Sequence, residues 1–189
     1  MELIIVRHGR PEHIEVDQVD DGTSPADPPL AEVGRRQAER VGAHLRETGV
    51  DAIVTSPLRR AVQTAEPLAR LTGLAPEVVE GVAEYDRDDA SYVPMEVIRR
   101  RMRDGDADAA AIFRDPLLVR EPAARAEWVA GVAAGFRAII AEHPGQRVAV
   151  FCHGMVTSVW FARFLGIDDH LRFTPDYCCL LYTSPSPRD

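Results

Sequence analysis

The apolar positions of the chain follow two patterns, short continuous runs and longer segments with an apolar residue at every third or fourth position. The runs ELIIV, DAIVTSP and RVAVFCH are short and rich in β-branched residues, which predicts strands buried in a parallel sheet. EVVEGVAE is interpreted as a further strand or extended segment.

Segments with helical periodicity lie between these runs. One helix is expected from Leu30 to about Glu47, and the next, which follows the second strand, is expected to kink or break near Pro67. A long helix begins at Glu121 and ends near His143, and another follows the last strand. Because strands alternate with helices, the sequence predicts an α/β fold of three layers, with a mainly parallel central sheet and helices on both faces.

The chain is interpreted as one domain over residues 1–178, followed by a tail at 179–189. Residues 86–120 are charged and alanine-rich with little core pattern, so we expect an insertion of short helices that covers the functional site. The ending CLLYTSPSPRD resembles a translated sequencing-library adaptor, so the tail is interpreted as non-native. A disordered natural tail is the alternative.

Composition and charge narrow the class of protein. The chain has 189 residues with 22 Lys and Arg against 30 Asp and Glu, a net charge of −8. An acidic chain is poorly suited to nucleic acid or an anionic membrane as its main partner. No basic leader precedes the first strand, no run approaches the ~20 apolar residues of a membrane span, and the three cysteines lack a disulfide or metal-ligand pattern. We therefore expect a cytoplasmic protein that binds neither nucleic acid nor membrane.

Polar side chains follow the predicted strands at the points where the strands end. Arg7 and His8 come directly after the first strand, and His153 follows the strand RVAVFC. Arg60 follows the second strand, and Glu84 lies near the end of the next segment. Ligands of parallel α/β sheets bind beyond the carboxyl ends of the strands, so these groups are expected to share one site.

These residue types suit phosphoryl transfer. Arginine binds phosphate oxygens through two parallel hydrogen bonds and stays charged. Histidine can attack phosphorus as a nucleophile, and a glutamate beside it can protonate the leaving oxygen and then activate water. Since no Asp, Glu or His set has an obvious metal-ligand spacing, we expect arginine to neutralise the phosphoryl charge, with no metal or other cofactor.

The segments VRHG, TSPLRRAVQTAE, GVAEY and VFCHG resemble the ordered motifs of the histidine phosphatase superfamily, and the resemblance covers about residues 2–166. That family contains cofactor-dependent phosphoglycerate mutases and many small phosphomonoesterases. The resemblance implies a phosphoglycerate mutase-like fold and metal-independent hydrolysis of phosphomonoesters through a phosphohistidine. The short chain and the absence of the mutase-type Gly-Trp segment after the first motif favour hydrolysis over mutase activity.

Carried over motif by motif, the resemblance implies a role for each residue. His8 is the nucleophile that accepts the phosphoryl group, and Glu84 is the proton donor. Arg7 and Arg60 bind the phosphoryl oxygens, and His153 is a further phosphoryl contact that stabilises the transferring group. Gly154 is predicted to bind the phosphate together with these residues.

The residues after the first motif depart from the family pattern. Arg10, Pro11 and Ile14 stand where many relatives carry an acid, a hydroxyl residue and a phosphate-contacting asparagine. Arg10 is predicted to contact a second anionic group of the substrate. The group that replaces the asparagine contact stays open.

Several alternatives remain open at this point. A phosphoglycerate mutase-type phosphotransferase and a catalytically silent phosphate-ligand binder are the competing functions, and the expected partner in each case is a small phosphorylated metabolite. A homodimer is left open. Ser56 is either an ordinary turn residue or a hydroxyl that reaches phosphate. Four acids close to Glu84 compete with it for the proton-donor role, and a loop acid is ordinarily exposed; they are Glu80, Asp86, Asp88 and Asp89.

Overall fold

The computed structural model describes residues 1–13, 26–114, 121–167 and 181–185. The strands are β1 (Glu2–Arg7), β2 (Ala52–Thr55), β3 (Glu77–Val78), β4 (Arg147–Cys152) and β5 (Leu181–Pro185). The α-helices are α1 (Glu32–Thr48), α2 (Arg59–Thr72), α3 (Met95–Arg103), α4 (Ala107–Arg114), α5 (Pro122–Glu142) and α6 (Gly154–Phe164). Across these described ranges, no helix is both long enough and apolar enough to span a membrane.

The strands form one sheet in the order β3-β2-β4-β1-β5. The pairs β1–β4, β2–β4 and β2–β3 are parallel, and β5 is antiparallel to β1. The prediction of a mainly parallel sheet is confirmed. Arg7 at the end of β1 pairs with Cys152 at the end of β4, so the residues that follow these two strands emerge at the same edge.

Helices cover both faces of the sheet, which confirms the three layers. Leu3 and Ile5 of β1 belong to a core that α5 and α6 complete, with Phe136 and Trp160 stacked at 4.5 Å between ring centroids. Ile4 and the other alternate positions of β1 belong to a second core with α1 and α2. Successive side chains of a strand point to opposite faces, so a strand buried on both sides is apolar throughout.

Helix α2 continues through Pro67, so a break at this residue is wrong, while a kink stays a prediction. Pro67 removes a backbone donor and would ordinarily interrupt a helix. Here it packs against Gly42 of α1, where an added Cβ would lie 2.9 Å from the Pro67 Cβ. The close packing of α1 on α2 holds the helix together at this point.

The segment EVVEGVAE, interpreted as a strand or extended segment, forms a strand over Glu77–Val78 only. After Val78 the chain turns into a short 3-10 helix at Glu80–Val82. Gly81 approaches α5 so closely that an added Cβ would lie 2.8 Å from the Gly135 Cα. This backbone contact takes the chain away from the sheet and across α5, where it leads into Glu84.

Strand β5 lies at the edge of the sheet beside β1 and is formed by residues that the sequence analysis assigns to the tail. Ile5 pairs with Tyr182 and Ile4 with Thr183. Pairing with β5 satisfies the backbone hydrogen-bonding groups that β1 would otherwise expose. The non-native origin of residues 179–189 stays a prediction.

Candidate active site

The structure brings His8 and His153 together at the carboxyl ends of β1 and β4. Their ring centroids are 5.1 Å apart with 54° between the ring planes. His8 is 5% exposed and His153 is fully buried. The parallel pairing of β1 with β4 causes this meeting, because each histidine directly follows its strand.

The protonation state of His8 follows from its hydrogen bond. Nδ1 lies 2.8 Å from the Gly9 carbonyl oxygen, which can only accept, so Nδ1 carries the proton and Nε2 carries the lone pair. Burial lowers the pKa of His8 well below its ordinary value, and the charges of Arg60 and Arg7 lower it further against the opposing Gly9 carbonyl. His8 is therefore neutral at pH 7, with Nε2 as its reactive nitrogen.

The turn that holds His8 is fixed by backbone contacts to two helices. The Gly9 N–H donates to Thr64 Oγ1 of α2 at 3.0 Å, and that hydroxyl donates to the Arg60 carbonyl at 2.7 Å. On the other side, a Cβ added to Gly34 of α1 would lie 2.1 Å from the Arg10 carbonyl oxygen. His8 thus sits on a turn held between α1 and α2.

His153 contacts a hydroxyl that the sequence analysis left open between two roles. Its Nε2 lies 2.7 Å from Ser56 Oγ, and Ser56 Oγ accepts the Leu58 N–H at 3.2 Å. Burial is the main reason that the pKa of His153 lies well below its ordinary value. The charges of Arg60, His8 and Arg7 lower this pKa further. Within the described part of the chain, its Nδ1 is buried without a hydrogen-bond partner. A neutral His153 that accepts the Ser56 proton at Nε2 would carry its own proton on Nδ1.

Glu84 is buried at 6% exposure and is held by two backbone amides. Oε2 accepts the Met155 N–H of α6 at 3.0 Å, and Oε1 accepts the Tyr85 N–H at 3.2 Å. Burial raises the pKa of Glu84 to about 8, aided by the charge of Asp86 and opposed by the two amides and Arg60. Glu84 is therefore predominantly protonated at pH 7, the state that a proton donor requires.

Arg60 is 1% exposed and is held between a carboxylate and an aromatic ring. Nη2 donates to Asp86 Oδ1 at 2.7 Å, Nη1 lies 3.9 Å from Asp27 Oδ1, and the guanidinium carbon lies 4.6 Å from the Tyr92 ring centroid. Burial opposes the charge of Arg60, but Asp86 and the other negative groups raise its pKa, so it stays protonated. Among the described residues, Nε and Nη1 have no hydrogen-bond partner.

The remaining residues that the sequence predicts for the site are Arg7, Gly154 and Arg10. Arg7 ends β1 half-buried, and Gly154 is the first residue of α6, directly after His153. The Arg10 backbone N–H donates to Gln37 Oε1 at 2.9 Å, and its carbonyl accepts the Ala31 N–H at 3.0 Å, while the residue is exposed. The contact of Arg10 with a second anionic group stays a prediction, and position 14 lies outside the described residues.

Asp86 is the contact that sequence reasoning missed. It competed with Glu84 as an ordinary loop acid, whereas the structure buries its side chain to 15% exposure against Arg60. Its position two residues after Glu84 is the signal that could have identified it. Its partner is 26 residues away, so the pairing itself emerges only in the tertiary structure.

One group of described residues has the ligand atoms for a metal ion. Oxygen and nitrogen atoms of Glu77, Glu142 and His143 all lie within 4.8 Å of one another. His143 Nε2 lies 3.5 Å from Glu77 Oε2, and its Nδ1 lies 2.7 Å from Gln146 Oε1. Both glutamates are exposed, and the group contains no residue of the predicted site. These contacts are those of a surface ion pair.

The site thus lies on a mainly parallel sheet, with two histidines at the carboxyl ends of the adjacent strands β1 and β4. The family model of the histidine phosphatase superfamily (branch 1) matches residues 3–187. The chain belongs to this superfamily.

Named relatives include both phosphatases and mutases. The chain is 28% identical over 172 residues to "Uncharacterized phosphatase PhoE" of Bacillus subtilis, covering 91% of this chain and 81% of that protein. It is also 28% identical over 177 residues to "Probable phosphoglycerate mutase GpmB" of Yersinia enterocolitica, covering 90% and 77%. These relatives support phosphatase or mutase chemistry in general.

Solved structures share the fold. Mycobacterial glucosyl-3-phosphoglycerate phosphatase Rv2419c in complex with VO3 matches with a TM-score of 0.66 at 24% identity, covering 90% of this chain and 86% of that one. Bacillus stearothermophilus YhfR matches with a TM-score of 0.66 at 24% identity, covering 92% and 85%. The phosphoglycerate mutase-like fold that the resemblance implied is confirmed.

Proposed function

We propose that this protein is a metal-independent phosphatase that hydrolyses small phosphomonoesters through a phosphohistidine on His8. The observation that carries the proposal is the meeting of His8 and His153 at 5.1 Å between ring centroids, with Glu84 held by the Met155 N–H two residues after His153. The protonation states of the two groups support it. His8 is neutral with its lone pair on Nε2, while Glu84 is protonated. A nucleophile and a proton donor in those states are both ready to react at neutral pH.

In the first step, His8 Nε2 forms a bond to phosphorus and the bond from phosphorus to the ester oxygen breaks. The Glu84 proton moves to the departing oxygen, which leaves as a neutral alcohol. Arg60 and Arg7 neutralise the charge of the transferring group, and the Nδ1–H of His153 donates to one of its oxygens. The phosphoryl group then satisfies donors of Arg60 and His153 that have no partner among the described residues.

In the second step, water attacks the phosphorus and the bond to His8 Nε2 breaks. The Glu84 carboxylate takes one proton from the water as it attacks, so Glu84 returns to its protonated state. His8 returns to the neutral form, and inorganic phosphate leaves. The two steps are balanced without any redox change or further reactant.

The surroundings of Arg60 disfavour a second anionic group of the substrate beside this guanidinium, so the predicted contact with such a group remains with Arg10. Asp86 and Asp27 both place carboxylate oxygens beside the guanidinium. A phosphoglycerate carries its own carboxylate, which these oxygens would repel. The mutase alternative keeps one supporting observation, the similarity to GpmB. A silent binder would need neither the nucleophile nor the buried proton donor.

The test follows phosphate release and the covalent intermediate together. The protein is assayed in EDTA with an alkyl phosphate and with p-nitrophenyl phosphate, and quenched reactions with ³²P-labelled substrate are analysed for an acid-labile phosphoenzyme. We expect metal-independent turnover that falls by at least about 10³-fold in His8→Ala, together with loss of the labelled intermediate. His44→Ala, a histidine exposed on α1, is the matched control.

Each other outcome contradicts the proposal in a different way. Turnover that survives in His8→Ala, or that requires added metal, argues against histidine as nucleophile. Isomerisation of a phosphoglycerate that depends on a bisphosphorylated compound supports the mutase. Binding of inorganic phosphate without turnover supports the binder.

A further inference from the structure

Asp86 is a half-buried carboxylate beside Arg60 that takes no part in the two chemical steps. We propose that Asp86 is a positioning residue, which orients the Arg60 guanidinium for the phosphoryl group and sets the charge around the Glu84 proton donor. This inference rests on the proposed function of the same site. It assigns a role to a residue outside the four motifs that carry the family resemblance.

The geometry around Arg60 gives the orienting role. The Asp86 contact is 2.7 Å long, and its two side chains are 1% and 15% exposed. Tyr92 covers the guanidinium from a centroid distance of 4.6 Å, so the planar group is confined both in its plane and perpendicular to it. A guanidinium confined in this way loses little further entropy when it binds a phosphoryl group.

Asp86 leaves Arg60 able to bind phosphate. The hydrogen bond to Asp86 uses Nη2, whereas Nε and Nη1 have no hydrogen-bond partner among the residues that the structure describes. A guanidinium has five N–H donors, so a phosphoryl oxygen can bind while the Asp86 contact persists. The carboxylate therefore acts as a support for Arg60 and not as a competitor for it.

Asp86 also determines the balance of charge at Glu84. Among the described residues, the titratable groups that interact with Glu84 include Tyr85, Asp86 and Tyr92 of its own segment, Arg60 of α2 and Cys152 of β4. Burial raises the pKa of both tyrosines and of the cysteine, so these three are neutral at pH 7. Of these groups, Asp86 remains negatively charged and Arg60 remains positively charged.

Removal of the negative charge would leave Glu84 beside the positive charge of Arg60. Ionisation of Glu84 next to Asp86 places two negative charges together, which disfavours loss of the proton. Without Asp86 the attraction of Arg60 acts unopposed, and Glu84 loses its proton at lower pH. The proton donor would then be depleted in the range where the wild-type site still retains it.

The experiment compares kcat and KM for an alkyl phosphate from pH 5 to 10 in four proteins. Asp86→Asn keeps the shape and removes the charge, and Asp86→Glu restores the charge. Asp88→Asn removes a carboxylate that is 82% exposed in the same turn and serves as the matched control. The wild-type protein is the reference.

We expect the alkaline limb of the kcat profile of Asp86→Asn to move to lower pH by about one unit. At pH 8 its kcat should fall roughly fivefold, while KM changes less than kcat. Asp86→Glu should recover part of the wild-type profile, and Asp88→Asn should match the wild type. A structural defect alone would lower activity at every pH without moving the limb.

A second readout does not depend on turnover. The ¹³C chemical shift of the Glu84 side-chain carboxyl, assigned by its loss in Glu84→Gln, is followed through the pH titration. We expect a lower midpoint in Asp86→Asn than in the wild type. If the wild-type protein proves inactive, the proposed function fails while this titration still decides the inference.

Two results overturn the inference. An unchanged alkaline limb together with an unchanged Glu84 midpoint in Asp86→Asn shows that Asp86 does not set the charge. A lower KM with tighter binding of inorganic phosphate shows that Asp86 competes for Arg60. Should Asp86→Asn fail to fold, Asp86→Ser is titrated in the same way, and the same two results apply.

Discussion

Two ends of the same sheet carry an arginine–carboxylate pair of equal length, yet their surroundings differ. At the carboxyl ends of the strands, Arg60 and Asp86 are 2.7 Å apart with side-chain exposures of 1% and 15%. At the amino ends, Arg147 and Glu2 are also 2.7 Å apart, with exposures of 42% and 40%. Residue types and distance alone would give the two pairs the same role.

The two arginine–carboxylate pairs have different consequences because they differ in burial. Water screens the amino-end pair, so its contribution to stability is expected to be small. At the carboxyl end the charges are removed from water, and interactions between charges are stronger. There burial lowers the pKa of His8 and raises the pKa of Glu84, while Asp86 raises the pKa of Arg60 against the effect of burial. The reactive states of the site thus come from its burial.

The largest expected effect is on the proton donor at the buried end. Glu84→Gln keeps the shape but has no proton to donate, so kcat for an alkyl phosphate should fall about 10³-fold. The loss should be much smaller for p-nitrophenyl phosphate, whose leaving group needs little protonation. Glu80→Gln, an exposed glutamate that pairs with Arg87, is the control. Equal losses with the two substrates would show that Glu84 is not the general acid.

The same residue should make stability depend on pH. Glu84 has a pKa near 4.5 when exposed and about 8 when folded, so between these values the native state holds one proton more than the unfolded state. The free energy of unfolding should therefore fall as pH rises from about 5 to 8, by up to about 1.4 kcal/mol per unit. Urea unfolding of wild type and Glu84→Gln across this range measures it. Parallel curves for the two proteins would rule out the shifted carboxyl.

Removal of each arginine tests the comparison directly. Arg60→Met leaves Asp86 buried without its main partner and should cost about 3 kcal/mol of unfolding free energy. Arg147→Met at the exposed end should cost less than about 1 kcal/mol. Urea unfolding of the two variants at one pH gives both values. Costs of similar size would mean that burial does not distinguish the pairs.

The smallest expected effect concerns the packing of the turn that carries His8. Gly34→Ala places a Cβ 2.1 Å from the Arg10 carbonyl oxygen, so the backbone must shift, at a cost of about 2 kcal/mol. Gly131→Ala in α5 meets no atom within 4 Å and should stabilise the protein slightly. Thermal unfolding measures both variants. A harmless Gly34→Ala would show that the turn is not clamped.

Most of the arrangement of strands, helices and strand-end residues could be predicted, because it depends on local sequence patterns. Apolar runs predict strands buried on both faces, and a polar residue at the end of such a run can only emerge at the sheet edge. This reasoning predicts from the sequence alone that His8, His153 and Arg60 lie near one another. It failed at Pro67, where packing on Gly42 outweighs the helix-breaking tendency.

The sequence by itself determined the alternation of strands and helices and the kinds of group that meet at the carboxyl edge, because both depend on residues close in the chain. Only the tertiary structure decided which acid is buried against the Met155 N–H and which contacts Arg60. Ser56 and His153 are 97 residues apart, and Arg60 and Asp86 are 26 apart. The protonation states of the site depend on burial and on charges brought together by such distant contacts, which no local pattern contains.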